Sequence, residues 1–224
     1  MHNAFGQILS HAVGVAISPF ALIAIILILA APRGRTNALA FGLGWIGAIA
    51  AALIALVTLG DAAGAHKNGE PASWVPWFHL VFGCLLLLMA LRQLRIHQAW
   101  EEGGELPPQL RRFDEFTPAR CVALGALLAL SNPKNIIQIA VGGVTVAEAD
   151  SSDVIRVFTV VIFLIIASLG VLIPLTVHFF GGAKAQGTLH RWREWTVRNH
   201  AGIMSVLFLL LAAKSIGDGI GGLV

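Results

Sequence analysis

Residues 128–140 read "LALSNPKNIIQIA", which sets a serine, two asparagines, a proline, a lysine and a glutamine inside an otherwise apolar run. An earlier stretch, "AISPF", repeats the theme with Ser18 and Pro19. Proline removes a backbone donor and displaces the carbonyl one turn before it. In hydrocarbon that carbonyl is tolerated only where protein or a wet cavity satisfies it. Two prolines preceded by polar residues therefore point to a binding cavity, against the plainer reading of two kinks. Lys134 adds charge to the same place. Its side chain sits too deep in its segment to reach either end, so it must face protein or water. The apolar segments carry no acid near their middle, since Asp61 and Asp218 lie toward one end. An anionic group of a substrate is the expected partner of Lys134. The alternatives are an amine left neutral in an empty site, or one held by backbone carbonyls.

Helical spacing collects further polar residues. Ser131, Asn135, Gln138, Gly142 and Thr145 follow a three-to-four-residue rhythm, as do Gln7, His11, Gly14 and Ser18. Each set shares one helix face. The two faces are expected to meet, around a cavity or as packing seams, because small and polar residues also hold helices together. "FGLGWIG", at 41–47, reads as such a seam. The expected substrate-binding set is His11, Ser18, Pro19, Asn132, Pro133, Lys134, Asn135 and Gln138. His11 and His178 are candidates for a proton relay, because histidine changes charge near neutral pH; a hydrogen-bonded structural role is the plainer reading. Histidines and acids are scattered without ligand spacing, so no metal is expected. Cys84 and Cys121 form neither a CxxC nor a metal-ligand pattern. No nucleotide-binding loop occurs and no cofactor is implied. The chain is expected to bind and move something rather than to be an enzyme, driven by a gradient or a partner.

The elements that must position these residues follow from composition. The 224 residues are 57% hydrophobic and 12% charged, against about a quarter charged in soluble domains. Mean hydropathy is +0.80. The apolar runs are too long for strands and lack the alternation of a lipid-facing barrel. An all-α integral membrane protein is the fold class, with helices expected at 8–31, 37–60, 74–91, 119–147, 154–180 and 199–222. Net charge is only +3 and the basic residues flank apolar spans, so membrane topology and anionic lipid are the expected roles of charge, and nucleic-acid binding is not. The N-terminal stretch lacks the basic start of a secretory signal.

Arg33 and Arg35 fall in the first connection, Arg92, Arg95, Arg111 and Arg112 in the third, and Lys184, Arg191, Arg193 and Arg198 in the fifth. The second sets Lys67 against Asp61 and Glu70, and the fourth sets Arg156 against Glu148, Asp150 and Asp153. The excess of positive charge predicts cytoplasmic odd connections and both termini outside, in a multi-pass plasma-membrane protein. Trp74 and Trp77 suit an outer interfacial belt. Trp192 and Trp195, among arginines, suit an inner one or a short helix lying on the membrane. Residues 92–118 form a charged connecting loop with Gly-Gly and Pro-Pro breaks, and its end, "TPAR", caps the next helix with Thr117 and Pro118. The loop divides the chain into three-span halves, 1–91 and 119–224. Three is odd, so the second half must sit inverted relative to the first. Pro19 lies about 16 Å, and Pro133 about 21 Å, from the start of its helix. Matched breaks in corresponding helices of inverted halves point to a transport site at the midplane.

The stretches "AISPFALIAIILILAAPRGRTNALAFGLGW" and "LALSNPKN" resemble the GAP family, named for the addressing of peptidoglycolipid or sulfolipid, within the lysine-exporter superfamily of six-helix transporters. The resemblance implies an inverted two-repeat fold, a homodimer, and export of lipid-linked or amphipathic molecules. By motif it carries over Ser18, Pro19, Asn132, Pro133 and Lys134. Thiol-transfer members of the superfamily have a cysteine before each proline; Ser18 and Asn132 stand there in this chain, which argues against redox chemistry. The leading expectation is a transporter of an anionic lipid, glycolipid or other amphipath. The others are an exporter of amino acids or small polar solutes, and a non-transporting membrane partner of a lipid-export machine.

Overall fold

The computed structural model describes residues 2–64, 66–67, 70–97, 117–148 and 152–223. The chain opens with α1 (His2–Ala16), α2 (Pro19–Ala30) and α3 (Gly34–Ala62). A two-residue antiparallel ladder, β1 (His66–Lys67) with β2 (Glu70–Pro71), precedes α4 (Val75–His97) in a chain that is otherwise helical, as the all-α expectation has it. There follow α5 (Pro118–Ser131), α6 (Pro133–Glu148), α7 (Asp153–Ala167), α8 (Leu169–Phe180), a 3-10 turn (Gly182–Lys184) and α9 (Ala185–Gly221). Most of the central connection, including Glu102, and Asp150 lie outside the described residues.

Local chemistry sets several of these boundaries. Pro19 and Pro118 take the first turn of α2 and α5, where the missing N–H costs nothing. Thr117 caps α5, its hydroxyl accepting from the Arg120 N–H at 3.4 Å. Pro32 forces Ala31 into extended backbone and ends α2.

α3, α4 and α9 are each long and apolar enough to cross a membrane, and two bent pairs, α1–α2 and α7–α8, raise the spans to as many as five; α5 is a shorter apolar helix. Large apolar side chains such as Leu43, Leu88, Phe180 and Leu210 are exposed, as lipid-facing helices require. Inside, Phe41, Trp45 and Ile49 of α3 pack with Ile25 and Ile28 of α2 and Phe163 of α7. A second cluster joins Leu86 of α4, Val141 of α6 and Phe208 and Leu211 of α9.

The first helix starts at His2 rather than at residue 8, and three further expectations shift. The helix expected at 74–91 runs on to His97, because leucines and arginines there sustain a helix. The basic, tryptophan-bearing segment before the last span is continuous with it in α9, with no proline to separate them. The run at 154–180 bends by 61° at Ser168. A Ser–Gly pair is a recognised place for a helix to kink, and Gly170 meets another backbone there: a Cβ on it would lie 2.3 Å from the Ala16 carbonyl oxygen.

Candidate functional site

The α1–α2 break strips several carbonyls of their helical donors. Pro19 has no N–H, the Ser18 N–H turns to the Ala16 carbonyl at 2.9 Å, and regular bonding resumes only with Leu22 N–H to Ser18 at 3.0 Å. The carbonyls of Gly14 and Ile17 are left over. Lys134 takes both: its ammonium donates to Gly14 O in a short contact and to Ile17 O at 3.0 Å. Lys134 is fully buried, and no carboxylate among the described residues pairs with it. Bonds of this charge-assisted kind contribute about 1.5–3 kcal/mol each.

The α5–α6 break is satisfied within its own strand of sequence. Pro133 cannot bond the Ala129 carbonyl, and the Asn135 side-chain amide donates to it instead, at 3.1 Å. Asn132 turns its Oδ1 to the Lys134 backbone N–H at 3.0 Å, starting α6. Thus in "NPKN" one proline breaks the helix, the two asparagines repair that break, and the lysine repairs the other one.

The two polar faces meet. His11 Nδ1 and Gln138 Oε1 are 2.7 Å apart, and a Cβ on Gly14 would come within 3.1 Å of Gln138 Oε1. Ser18, Asn135, Gln138 and Thr145 are buried. Gly142 packs against the Phe163 ring. The side chain of Gln7 lies outside the described residues, and His178 is remote from this set, lining a cleft of α2, α8 and α9. Ser131 is exposed and Asn132 half-buried; with Pro133 both line a cleft of about 410 Å³ that also holds Arg92, Phe20 and His200.

Among the described residues, His11 Nε2, Gln138 Nε2, Asn135 Oδ1 and Ser168 Oγ are buried without a hydrogen-bond partner. Buried polar atoms are usually paired, so these four give the centre capacity for further polar contacts. Ser168 and Gly170 bring a third break against the first. Their signal in the sequence is the "SLG" triplet inside an apolar run. Arg92 escaped sequence reasoning because a positive charge at a helix end already has a topological explanation. No group of three or more metal-ligating side chains occurs among the described residues.

Fold and site together define a helical membrane protein whose broken spans are joined through buried polar contacts. The chain belongs to the Sap, sulfolipid-1-addressing protein family, whose model matches residues 8–221. That membership makes it a lipid-related membrane protein. No curated protein and no solved structure matches the chain.

Proposed function

We propose that this protein transports an anionic lipid, glycolipid or other amphipath across the plasma membrane, through a centre built on the two proline-broken helices. The observation that carries this reading is Lys134 reaching from the second break to hold the carbonyls of the first. An ammonium so placed couples the geometry of both breaks to whatever anion competes for it. An anionic head group that draws Lys134 away frees Gly14 and Ile17 and loosens the α1–α2 joint. The family's name, which speaks of sulfolipid addressing, supports a lipid as the cargo.

Two inverted halves of three spans each are supported by the packing, and both termini outside by the charge asymmetry of the connections. α3 lies along both α5 and α6, as α7 and α8 lie along α1 and α2, and α4 lies along α9. Those are the pairings that a two-fold axis in the membrane plane relates. Arg156 bonds Asp61 at 3.0 Å and the Ala147 carbonyl at 3.3 Å, which gathers the ends of α3, α6 and α7 on one side. Arg35 sits over the Phe179 ring, gathering the opposite ends of α3 and α8. A homodimer within the lysine-exporter superfamily completes the proposal.

Purification in mild detergent followed by mass spectrometry of bound lipids tests it. A stoichiometric anionic lipid is the expected result. Protein that emerges free of lipid and instead retains an amino acid or small polar solute contradicts the lipid reading in favour of a solute exporter.

A further inference from the structure

Lys134 spends its ammonium on backbone carbonyls, so in this conformation an arriving anion must be received elsewhere. The cleft beside the α5–α6 break has the chemistry for it. Its polar residues include Arg92 and Gln93 of α4 with Ser131 and Asn132, and no Asp or Glu is among the described residues that line it. No described acid pairs with Arg92, whose side chain is exposed. The rest of the lining is apolar apart from His200, whose ring lies against Phe20 at 4.7 Å between centroids. Met89 and Met204 add adaptable surface.

A second cavity of about 410 Å³ continues from the first and shares Met89, Arg92 and Pro133 with it. Its other lining residues, Leu85, Leu88, Ile136 and Ile137, are wholly apolar. Leu88 is 63% exposed and Ile136 46%, so this groove opens sideways, between α4 and α6, where a membrane helix meets acyl chains. From Leu85 to Arg92 it extends about 10 Å at helical rise. A cationic chamber with an apolar groove running out of one side fits one kind of molecule: an anionic head group carrying a long chain. A guanidinium is suited to phosphate or sulfate, whose oxygens accept its parallel N–H pair.

We propose that the chamber and groove form the loading site for an anionic long-chain lipid, with the head group on Arg92, Ser131 and Asn132 and the chain along Leu85, Leu88 and Ile136. This rests on the transport reading above and places the cargo one step before Lys134. The site admits its ligand laterally from the bilayer, and the break residues Asn132 and Pro133 are common to both stations.

The test uses the full chain in phosphatidylcholine nanodiscs with a phosphatidylglycerol probe bearing a diazirine in its acyl chain, followed by illumination and peptide mapping. Label should concentrate on the α4 and α6 segments that carry Leu85, Leu88 and Ile136. Arg92→Gln should lower that labelling about tenfold, as loss of a charge-assisted contact implies, and Arg92→Lys should lower it less. Ile136→Trp, which fills the groove, should drive label off α6, whereas Arg193→Gln, in a separate cleft, should change nothing. A phosphatidylcholine probe with the same tail should show no preference for these segments. Label spread evenly over lipid-facing helices, or undiminished in Arg92→Gln, overturns the proposal. So does displacement by excess inorganic phosphate, which marks a site for the free anion. Lipid flux measured separately keeps the two readings apart. Site-specific labelling without flux leaves the loading site and removes transport; flux that Arg92→Gln and Ile136→Trp leave intact does the reverse.

Discussion

The lysine of "SNPKN" meets a demand that the chain itself creates. The Ser18–Pro19 break exposes carbonyls at a depth where lipid offers no donor, and Lys134 supplies one from another helix. Replacing Lys134 by methionine relieves the burial of a charge but strands Gly14 O and Ile17 O, each at a cost of about 1–3 kcal/mol. Lys134→Met should therefore lower the thermal midpoint in detergent. Combining it with Pro19→Ala, which returns an N–H to the first helix, should cost less than the sum of the two single changes. Strict additivity in that double-mutant cycle would mean that the lysine and the break are not energetically coupled. The two cysteines make a contrasting case. Cys84 is exposed, Cys121 is buried, and both are free, so replacing both with alanine should leave transport within about twofold of the parent, as expected for residues outside any redox pair. Loss of flux in a variant that inserts normally would add a redox step to the mechanism. The motif residues were legible in the sequence because a proline and a charge are expensive in hydrocarbon and demand a reason. The partner of Lys134 was not, since spacing along one helix does not reveal which carbonyls a second helix has released.

At the level of elements, glycines decide which helices come close. A Cβ on Gly44 would lie 2.0 Å from the Val122 carbonyl oxygen, and one on Gly125 would lie 2.2 Å from that of Phe41. The α3–α5 seam is therefore a reciprocal backbone contact, which is how "FGLGWIG" functions. Gly44→Ala and Gly125→Ala should each destabilise by about 1–3 kcal/mol or more, the ordinary penalty of overpacking. Gly47, in the same motif, has nothing within 4 Å of its would-be Cβ. Gly47→Ala should be neutral or stabilising by up to about 1 kcal/mol through helix propensity. Thermal unfolding of the three variants checks this, and equal destabilisation by all of them would remove the seam argument. The seam was readable from small-residue spacing. The bend at Ser168 was harder to read, because its local sign is only the short "SLG" triplet and the one proline of the run from 154 to 180, Pro174, sits more than a turn and a half further on. What marks the bend is the approach of Gly170 to Ala16, a tertiary fact with little local trace.

For the molecule as a whole, charge asymmetry predicts which ends face the cytoplasm, and packing predicts which ends travel together. Single cysteines at Lys67 and Asp150 should react with an impermeant thiol reagent in whole cells, whereas those at Arg33, Glu102 and Arg193 should react only after lysis. The Arg156–Asp61 pair requires the second and fourth connections to give the same answer. Labelling at Glu102 but not at Lys67 would reverse the topology. Opposite answers from Lys67 and Asp150 would break the inverted relation of the halves.

If the joined breaks move an anionic amphipath, flux of such a lipid across a bilayer must depend on them. Vesicles containing the reconstituted chain, and a phosphatidylglycerol with a fluorescent tail, are exposed to an impermeant quencher outside. The wild-type chain should render the inner-leaflet probe quenchable faster than protein-free vesicles do, with a smaller effect on a phosphatidylcholine of the same tail. Lys134→Met should slow the anionic lipid by about tenfold or more, in line with the loss of a charge-assisted contact. Wild-type flux no faster than that of empty vesicles, or a Lys134→Met rate equal to wild type, would contradict the account.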